Sequence, residues 1–231
     1  MLTAPQNQAQ RLGFLREKIA TAARAAGRDP DSITLIGVAK SQPLPRVAAA
    51  VAGGLTDIAE NYLQESRDHI AALQDRTLTW HFIGALQSNK TRPVAESFDW
   101  VHTVDRLKIA ERLSEQRPRE HPPLLVCIQV RLGGEITKSG IDPGELPAFA
   151  ARIVALPRLT LRGLMCLPPE ETDQARQRHW FRELRHLQLS LNDAGHRLDT
   201  LSMGMSEDYE SAVAEGATHL RIGSALFGPR G

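Results

Sequence analysis

The sequence predicts an α/β protein, a single (β/α)8 barrel preceded by one extra helix. Short apolar runs alternate with stretches of helical period eight times along the chain. Strands alternating with helices imply parallel crossovers. A length of 231 residues suits one closed ring of eight strands, near the small end of that fold's range. An open doubly wound sheet of seven or eight strands satisfies the same alternation. No linker, low-complexity stretch or change of composition divides the chain. Residues 1–231 therefore read as one domain, with residues 1–30 carrying the leading helix that packs on the barrel.

Each element has its own signal. Residues 7–26 place Leu12, Leu15, Ile19, Ala22, Ala23 and Ala26 on one helical stripe, which Gly27 and Pro30 end. The first strand, Ile33–Ala39, is apolar on both faces, as a parallel strand covered by helices must be. It runs into Lys40, and Ser41-Gln42-Pro43 breaks it. Pro43 suits the opening of an alanine-rich helix, 44–52, because its missing N–H would be unpaired there anyway. Asp57–Asn61 reads as the second strand and Tyr62–Leu73 as a helix; Thr79–Ala85 is the third strand, with helix 88–97 after it. Trp100–Val104, Leu124–Val130, Leu159–Cys166 and Leu198–Met203 are strands four to seven. The helices that follow them span 106–117, Pro143–Leu156, Glu170–Ala194 and Glu207–Glu215, and His219–Phe227 reads as the eighth strand.

Composition excludes several classes. Lysine plus arginine number 28 against 27 acids, with no basic block or aromatic-basic stripe, so nucleic acid is not an expected partner. The start, MLTAPQNQAQRLGFLREK, has no apolar core after a basic segment, and no apolar run approaches the ~20 residues that span a bilayer. Cys127 and Cys166 lie far apart without a CxxC or histidine pairing, which argues against a disulfide framework or zinc. His69, His102, His121, His179, His186, His196 and His219 form no metal-spaced cluster and read as surface or packing residues. A reduced, cytoplasmic monomer is the expectation.

In a barrel of this kind the site is built at the carboxyl ends of the strands, often with phosphate in the loops after strands seven and eight. Those ends carry Lys40, Glu60-Asn61, Gly84, Asp105, Arg131, Cys166, Gly204-Met205-Ser206 and Gly223-Ser224. Lysine alone among the cationic side chains forms a Schiff base. Glycine or serine ahead of a helix exposes backbone N–H groups that hold an anion, although tight turns with a serine cap look the same. Arg221 shares a strand face with Gly223. It meets either a structural carboxylate such as Glu60 or an acceptor on a ligand. A lysine for an aldehyde, an anion cup and an arginine for a ring acceptor together describe a pyridoxal phosphate (PLP) site. Arginine can only donate to the pyridine nitrogen, which leaves the ring a poor electron sink. Cys166 reads as a small packing residue.

These residues lie in stretches with a recognisable pattern: LIGVAKS at 35–41, ENYLQE at 60–65, WHFIGALQSNK at 80–90, KSG at 138–140, RGLMCLPP at 162–169, LSMGMSEDYESAVAEG at 201–216 and RIGSALFG at 221–228. The chain resembles the pyridoxal phosphate homeostasis proteins (the YggS/PROSC group), barrels similar to the PLP domain of alanine racemase. Ala59 and Ala85 stand where that family often has glycine and proline. The resemblance implies PLP on Lys40 as a Schiff base, with Ser206, Gly223 and Ser224 around the phosphate and Met205 among the cofactor-binding residues. It further implies Arg221 at the pyridine nitrogen and Asn61 with His81 lining the site. It implies a carrier for intracellular PLP homeostasis, which releases the cofactor or hands it to PLP-dependent client enzymes without robust catalysis. A racemase-like enzyme is the nearest alternative, but it needs a second base opposite the lysine, and the only tyrosines are Tyr62 and Tyr209. A lysine Schiff-base aldolase is the other, with the phosphate belonging to its substrate. Lys138 reads either as a second amine or phosphate contact at the mouth or as an exposed loop lysine.

Overall fold

The computed structural model describes residues 7–74, 77–134 and 139–228. Eight parallel strands close into a barrel in chain order: β1 (Thr34–Val38), β2 (Asp57–Glu60), β3 (Thr79–Phe82), β4 (Trp100–Val104), β5 (Leu124–Val130), β6 (Leu159–Cys166), β7 (Thr200–Ser202) and β8 (His219–Ile222). Closure is made by β8 on β1, with Leu35 opposite Leu220 and Ile36 opposite Arg221. That pairing excludes the open doubly wound sheet.

The helices are α1 (Gln8–Ala25), α2 (Leu44–Ala52), α3 (Leu63–Ala72), α4 (Thr91–Ser97), α5 (Leu107–Gln116), α6 (Leu146–Val154), α7 (Gln174–Asp193), α8 (Tyr209–Ala214) and α9 (Ser224–Phe227). The stripe predicted on α1 buries Leu12, Leu15, Ile19 and Ala23, and the helix packs on α2, α8 and α9. It therefore lies over the wall where the first and last strands join. α7 begins at Gln174 rather than Glu170, because Asp173 accepts a hydrogen bond from the Arg176 N–H and caps the helix there.

The end of the chain differs from expectation. The apolar run 219–227 is not one strand: β8 stops at Ile222, and Ser224–Phe227 form a single helical turn. Gly223 (φ −105°, ψ −81°) leaves the extended region, and its carbonyl accepts from the amides of Leu226 and Phe227 at 3.1 and 2.8 Å. Leu226 and Phe227 are buried in the core outside the barrel, which explains why their apolar pattern mimics a strand.

Two interiors result. One continuous apolar core lies between strands and helices. Inside the ring the only separate apolar cluster among the described residues is Trp100, Cys127 and Met165, with Leu125 against it. Ile36 and Ala59 also face inward, but much of the interior is polar, with Asp57, His81, His102, Ser202 and Arg221 in one hydrogen-bonded series. Barrel interiors are ordinarily filled by branched apolar side chains. Buried polar groups persist only when paired.

Candidate functional site

A cavity of about 470 Å³ opens at the carboxyl ends of the strands. Lys40, Asn61, Met205, Ser206, Arg221, Gly223 and Ser224 all line it, so seven of the eight predicted site residues meet in one place. A larger groove of about 800 Å³ on the outer wall, beside α1 and α8, carries none of them.

Lys40 reaches the cavity by strand parity. Val38, two residues earlier, also lines it, and the ladder continues one residue past β1, with the Ala39 N–H donating to Ala59 O at 2.9 Å. Ser41 then turns the chain at φ +56°, its N–H donating to Glu65 Oε2 at 2.8 Å. α3 supplies a second brace, the buried His69, whose Nδ1 lies 2.6 Å from Glu60 Oε1. That carboxylate raises the His69 pKa, as does the Gln42 backbone. Glu60 is thus turned outward toward α3 and is not the partner of Arg221. Lys40 Nζ sits 5.4 Å from the centre of the Tyr62 ring.

Asn61 follows β2, and Gly84 follows β3 closely beside it. A Cβ on Gly84 would lie 2.0 Å from Asn61 O, so only glycine fits. Asn61 Oδ1 is buried and has no hydrogen-bond partner among the described residues. It is an acceptor waiting for a donor.

The two predicted turns are joined. Gly204 takes φ +94°, and its carbonyl accepts from the Arg221 N–H at 3.0 Å. The Met205 N–H donates to Asp208 Oδ1 at 2.6 Å, and the Ala225 N–H donates to Ser206 Oγ at 3.2 Å. The hydroxyls and backbone of 205–206 and 223–224 therefore share one corner of the cavity. Arg221, 3 % exposed, donates from Nη1 to Ser202 Oγ at 2.8 Å and from Nη2 to Cys166 O at 2.9 Å. The Cys166 thiol is buried, which pushes its pKa up to about 12 and leaves it inert at neutral pH.

His81 is placed differently from expectation. Ile83, two residues further along the same face, lines the cavity; His81 lies one step deeper and does not. There it stacks 5.8 Å from Trp100 and bonds to His102 and Asp57. His102 and His219, which read as plain packing residues, belong to this inner layer. Lys138 lies outside the described residues. No group of three His, Cys, Asp or Glu is placed to hold a metal ion among the described residues, and no described helix is long and apolar enough to cross a membrane.

The inner histidines make the fold acid-sensitive. Burial, with His81 nearby, pushes the His219 pKa from 6.5 down to about 4, and burial drives His102 well below its ordinary value. The unfolded chain binds these protons below about pH 6.5, before the folded chain does. Stability is therefore whole above that pH and drains as pH falls toward 4, by about 3 kcal/mol from His219 alone. His69 acts in the opposite sense and above this window, since its raised pKa adds stability that is lost only as pH rises. Urea unfolding at about pH 7 and about pH 4.5 measures the loss. His219→Gln should lose less than the wild type; an equal loss in both would refute the assignment.

The cavity thus offers an amine, a buried cation, two anion-binding turns and an unpaired acceptor. Comparison with known proteins finds relatives similar in sequence and in fold. The alanine racemase N-terminal domain family matches residues 10–231. The Pyridoxal phosphate homeostasis protein of Pseudomonas aeruginosa PAO1 is 54% identical over 96% of this chain and 95% of its own. The protein of that name from Escherichia coli K12 is 48% identical, with 96% of each chain covered. Among solved structures, PipY of Synechococcus elongatus PCC7942 with PLP bound superposes with a TM-score of 0.85 at 37% identity, over 96% of this chain and 100% of that one. With a closed parallel barrel, a full-length domain match and relatives near half identity, the chain belongs to the pyridoxal phosphate homeostasis protein family.

Proposed function

We propose that this protein binds PLP in the Lys40 cavity and releases it or hands it to PLP-dependent client enzymes, without robust catalysis of its own. The observation that carries the reading is the meeting of Lys40, Arg221 and the Ser206 and Ser224 turns in one 470 Å³ cavity. The residues fit the cofactor group by group. Lys40 is the amine for its aldehyde, and Ser206, Gly223 and Ser224 take the phosphate, with Met205 bordering the same corner of the cavity. Arg221 donates to the ring nitrogen. Asn61 Oδ1, buried and unpaired, suits a donor on the ring or its substituents. When bound, PLP supplies an electron sink for carbanions, and a ring nitrogen facing a permanent cation keeps that sink weak.

The tyrosines favour a carrier over a racemase. Tyr209 is buried on α8, bonded to Glu210 at 3.1 Å, with its pKa pushed up to about 12 by burial. Tyr62 is 50% exposed and sits beside Lys40. Neither is placed as a second base facing the amine across the cavity. Borohydride treatment of the protein mixed with PLP, followed by peptide mapping, tests the site. The label is expected on Lys40; a label on any other lysine would overturn the assignment. Racemisation of alanine at enzymatic rates would overturn the carrier reading.

A further inference from the structure

Beneath the cavity, five side chains from five strands form one hydrogen-bonded line. Arg221 Nη1 donates to Ser202 Oγ at 2.8 Å, and Ser202 Oγ lies 2.7 Å from His102 Nδ1. His102 Nε2 lies 2.9 Å from His81 Nδ1, and His81 Nε2 lies 3.1 Å from Asp57 Oδ1. His81, His102 and Ser202 are fully buried, and only the Asp57 side chain, at the amino end of β2, is 20% exposed.

The chemistry of the two ends fixes every proton between them. A guanidinium only donates, so Ser202 Oγ accepts from Arg221 and has one proton left to give. That proton goes to His102 Nδ1, which must then be the bare nitrogen. His102 carries its proton on Nε2 and gives it to His81 Nδ1. His81 in turn gives its Nε2 proton to the Asp57 carboxylate. All four bonds are satisfied with both rings neutral and both protonated on Nε2. A proton added to either ring sets two N–H groups against each other or strands the buried Ser202 proton. The groups around the line agree with this. Burial, with His81, His219 and Arg221 nearby, drives His102 well below its ordinary pKa. Burial opposes ionisation of Asp57, but the His81 and Thr56 hydrogen bonds outweigh it and hold its carboxyl low. Among the described residues, other titratable groups near the line are His219 on β8, Cys127 on β5, Arg162 of β6 paired with Asp199 just ahead of β7, and Asp208, whose charge acts on Arg221.

We propose that Ser202, His102, His81 and Asp57 are positioning residues for Arg221: a one-way line of hydrogen bonds, oriented by the guanidinium itself, that holds this cation in place at the cavity floor. Ser202 and the Cys166 carbonyl take two of the five guanidinium donors, and the side chain still borders the cavity. The inference rests on the PLP reading for the identity of the ligand, but not for the line itself.

The two parts are tested separately. In the apoprotein, nitrogen-15 NMR of the imidazoles should show His102 and His81 neutral and protonated on Nε2, and Ser202→Ala should release His102 from that single tautomer. His102 protonated on Nδ1, or doubly protonated at neutral pH, would overturn the proposal without reference to any ligand. In the loaded protein, Ser202→Ala should release PLP about tenfold faster than the wild type, the effect of one lost charge-assisted hydrogen bond. Ser202→Thr, which keeps the hydroxyl, should restore slow release. Cys127→Ala, inside the same ring but off the line, should lower the melting temperature and leave release unchanged. Equal release from Ser202→Ala and Cys127→Ala would reduce the line to core packing and sink the proposal. A wild-type protein that takes up no PLP would defeat the cofactor reading, and the tautomer measurement would then decide the line alone.

Discussion

Lys40→Ala protein is expected to fold as the wild type does and, after dialysis, to keep none of the visible absorbance that PLP gives the wild-type chain. Lys40 is half-buried at the mouth, and its contact of note is the Tyr62 ring at 5.4 Å. Surface changes of this kind usually stay within about 0.5 kcal/mol. The turns at 205–206 and 223–224, Arg221 and Asn61 remain in the variant, so PLP should still bind reversibly through its phosphate and ring. What disappears is the covalent hold. Retention through gel filtration should fall by at least about a hundredfold, or about 2.7 kcal/mol. Lys40→Arg sharpens the test, since it keeps the charge and has no amine that can bond an aldehyde. Absorbance spectra and dialysis of all three proteins give the answer. A PLP band that survives dialysis in either variant would move the covalent site to another lysine.

Most of the barrel is readable from the sequence because its strands are covered on both faces. Runs such as Leu124–Val130 have no polar alternation to confuse with a surface helix, and glycine or proline punctuates the helices between them. Closure is not readable, since the pairing of Leu35 with Leu220 joins residues at opposite ends of the chain and leaves no local trace. The segment Ser224–Phe227 is misleading for a related reason. A short apolar run is the same whether it pairs in a sheet or drives one helical turn into the outer core.

The site divides along the same line. Residues that end strands in a glycine- or serine-rich turn announce themselves, and Lys40, Ser206 and Ser224 are of that kind. Glu60 and Asn61 are adjacent, and only the inward phase of β2 decides which of them faces the cavity. Asp57, Ala59 and Asn61 point in, while Ile58 and Glu60 point out. The inner polar line does leave a trace in the sequence: Asp57, His81, His102, Ser202 and Arg221 are polar residues of short strands, each of which carries one further polar residue. A single polar residue in a strand looks like noise. Five of them, all on the face turned into the ring, are what a hydrogen-bonded interior requires.

Gly84→Ala is expected to damage fold and site together. The new methyl would stand 2.0 Å from Asn61 O, 2.8 Å from its carbonyl carbon and 2.9 Å from its Cα, all backbone atoms. No side chain can swing aside to make room, so the ends of β2 and β3 must part. They are held together there by the Ile83 N–H on Glu60 O at 2.9 Å, while Thr103 Oγ1 donates to Gly84 O at 2.7 Å. Overpacking of this kind costs about 3 kcal/mol, which for a chain of this size lowers the melting temperature by about 6–12 °C. Because Asn61 is the residue pushed, PLP affinity should fall as well, beyond what the stability loss explains at a temperature where both proteins are folded. Gly13→Ala is the matched control. Gly13 is exposed in the middle of α1, with nothing within 4 Å of the place its new methyl would occupy, and the change should raise stability by up to about 1 kcal/mol through helix propensity. Opposite signs for the same substitution at the two glycines, read by thermal denaturation, are the expected result. A Gly84→Ala protein as stable as the wild type would mean that the β2–β3 junction yields at little cost, and that Asn61 is not held by the approach of these two backbones.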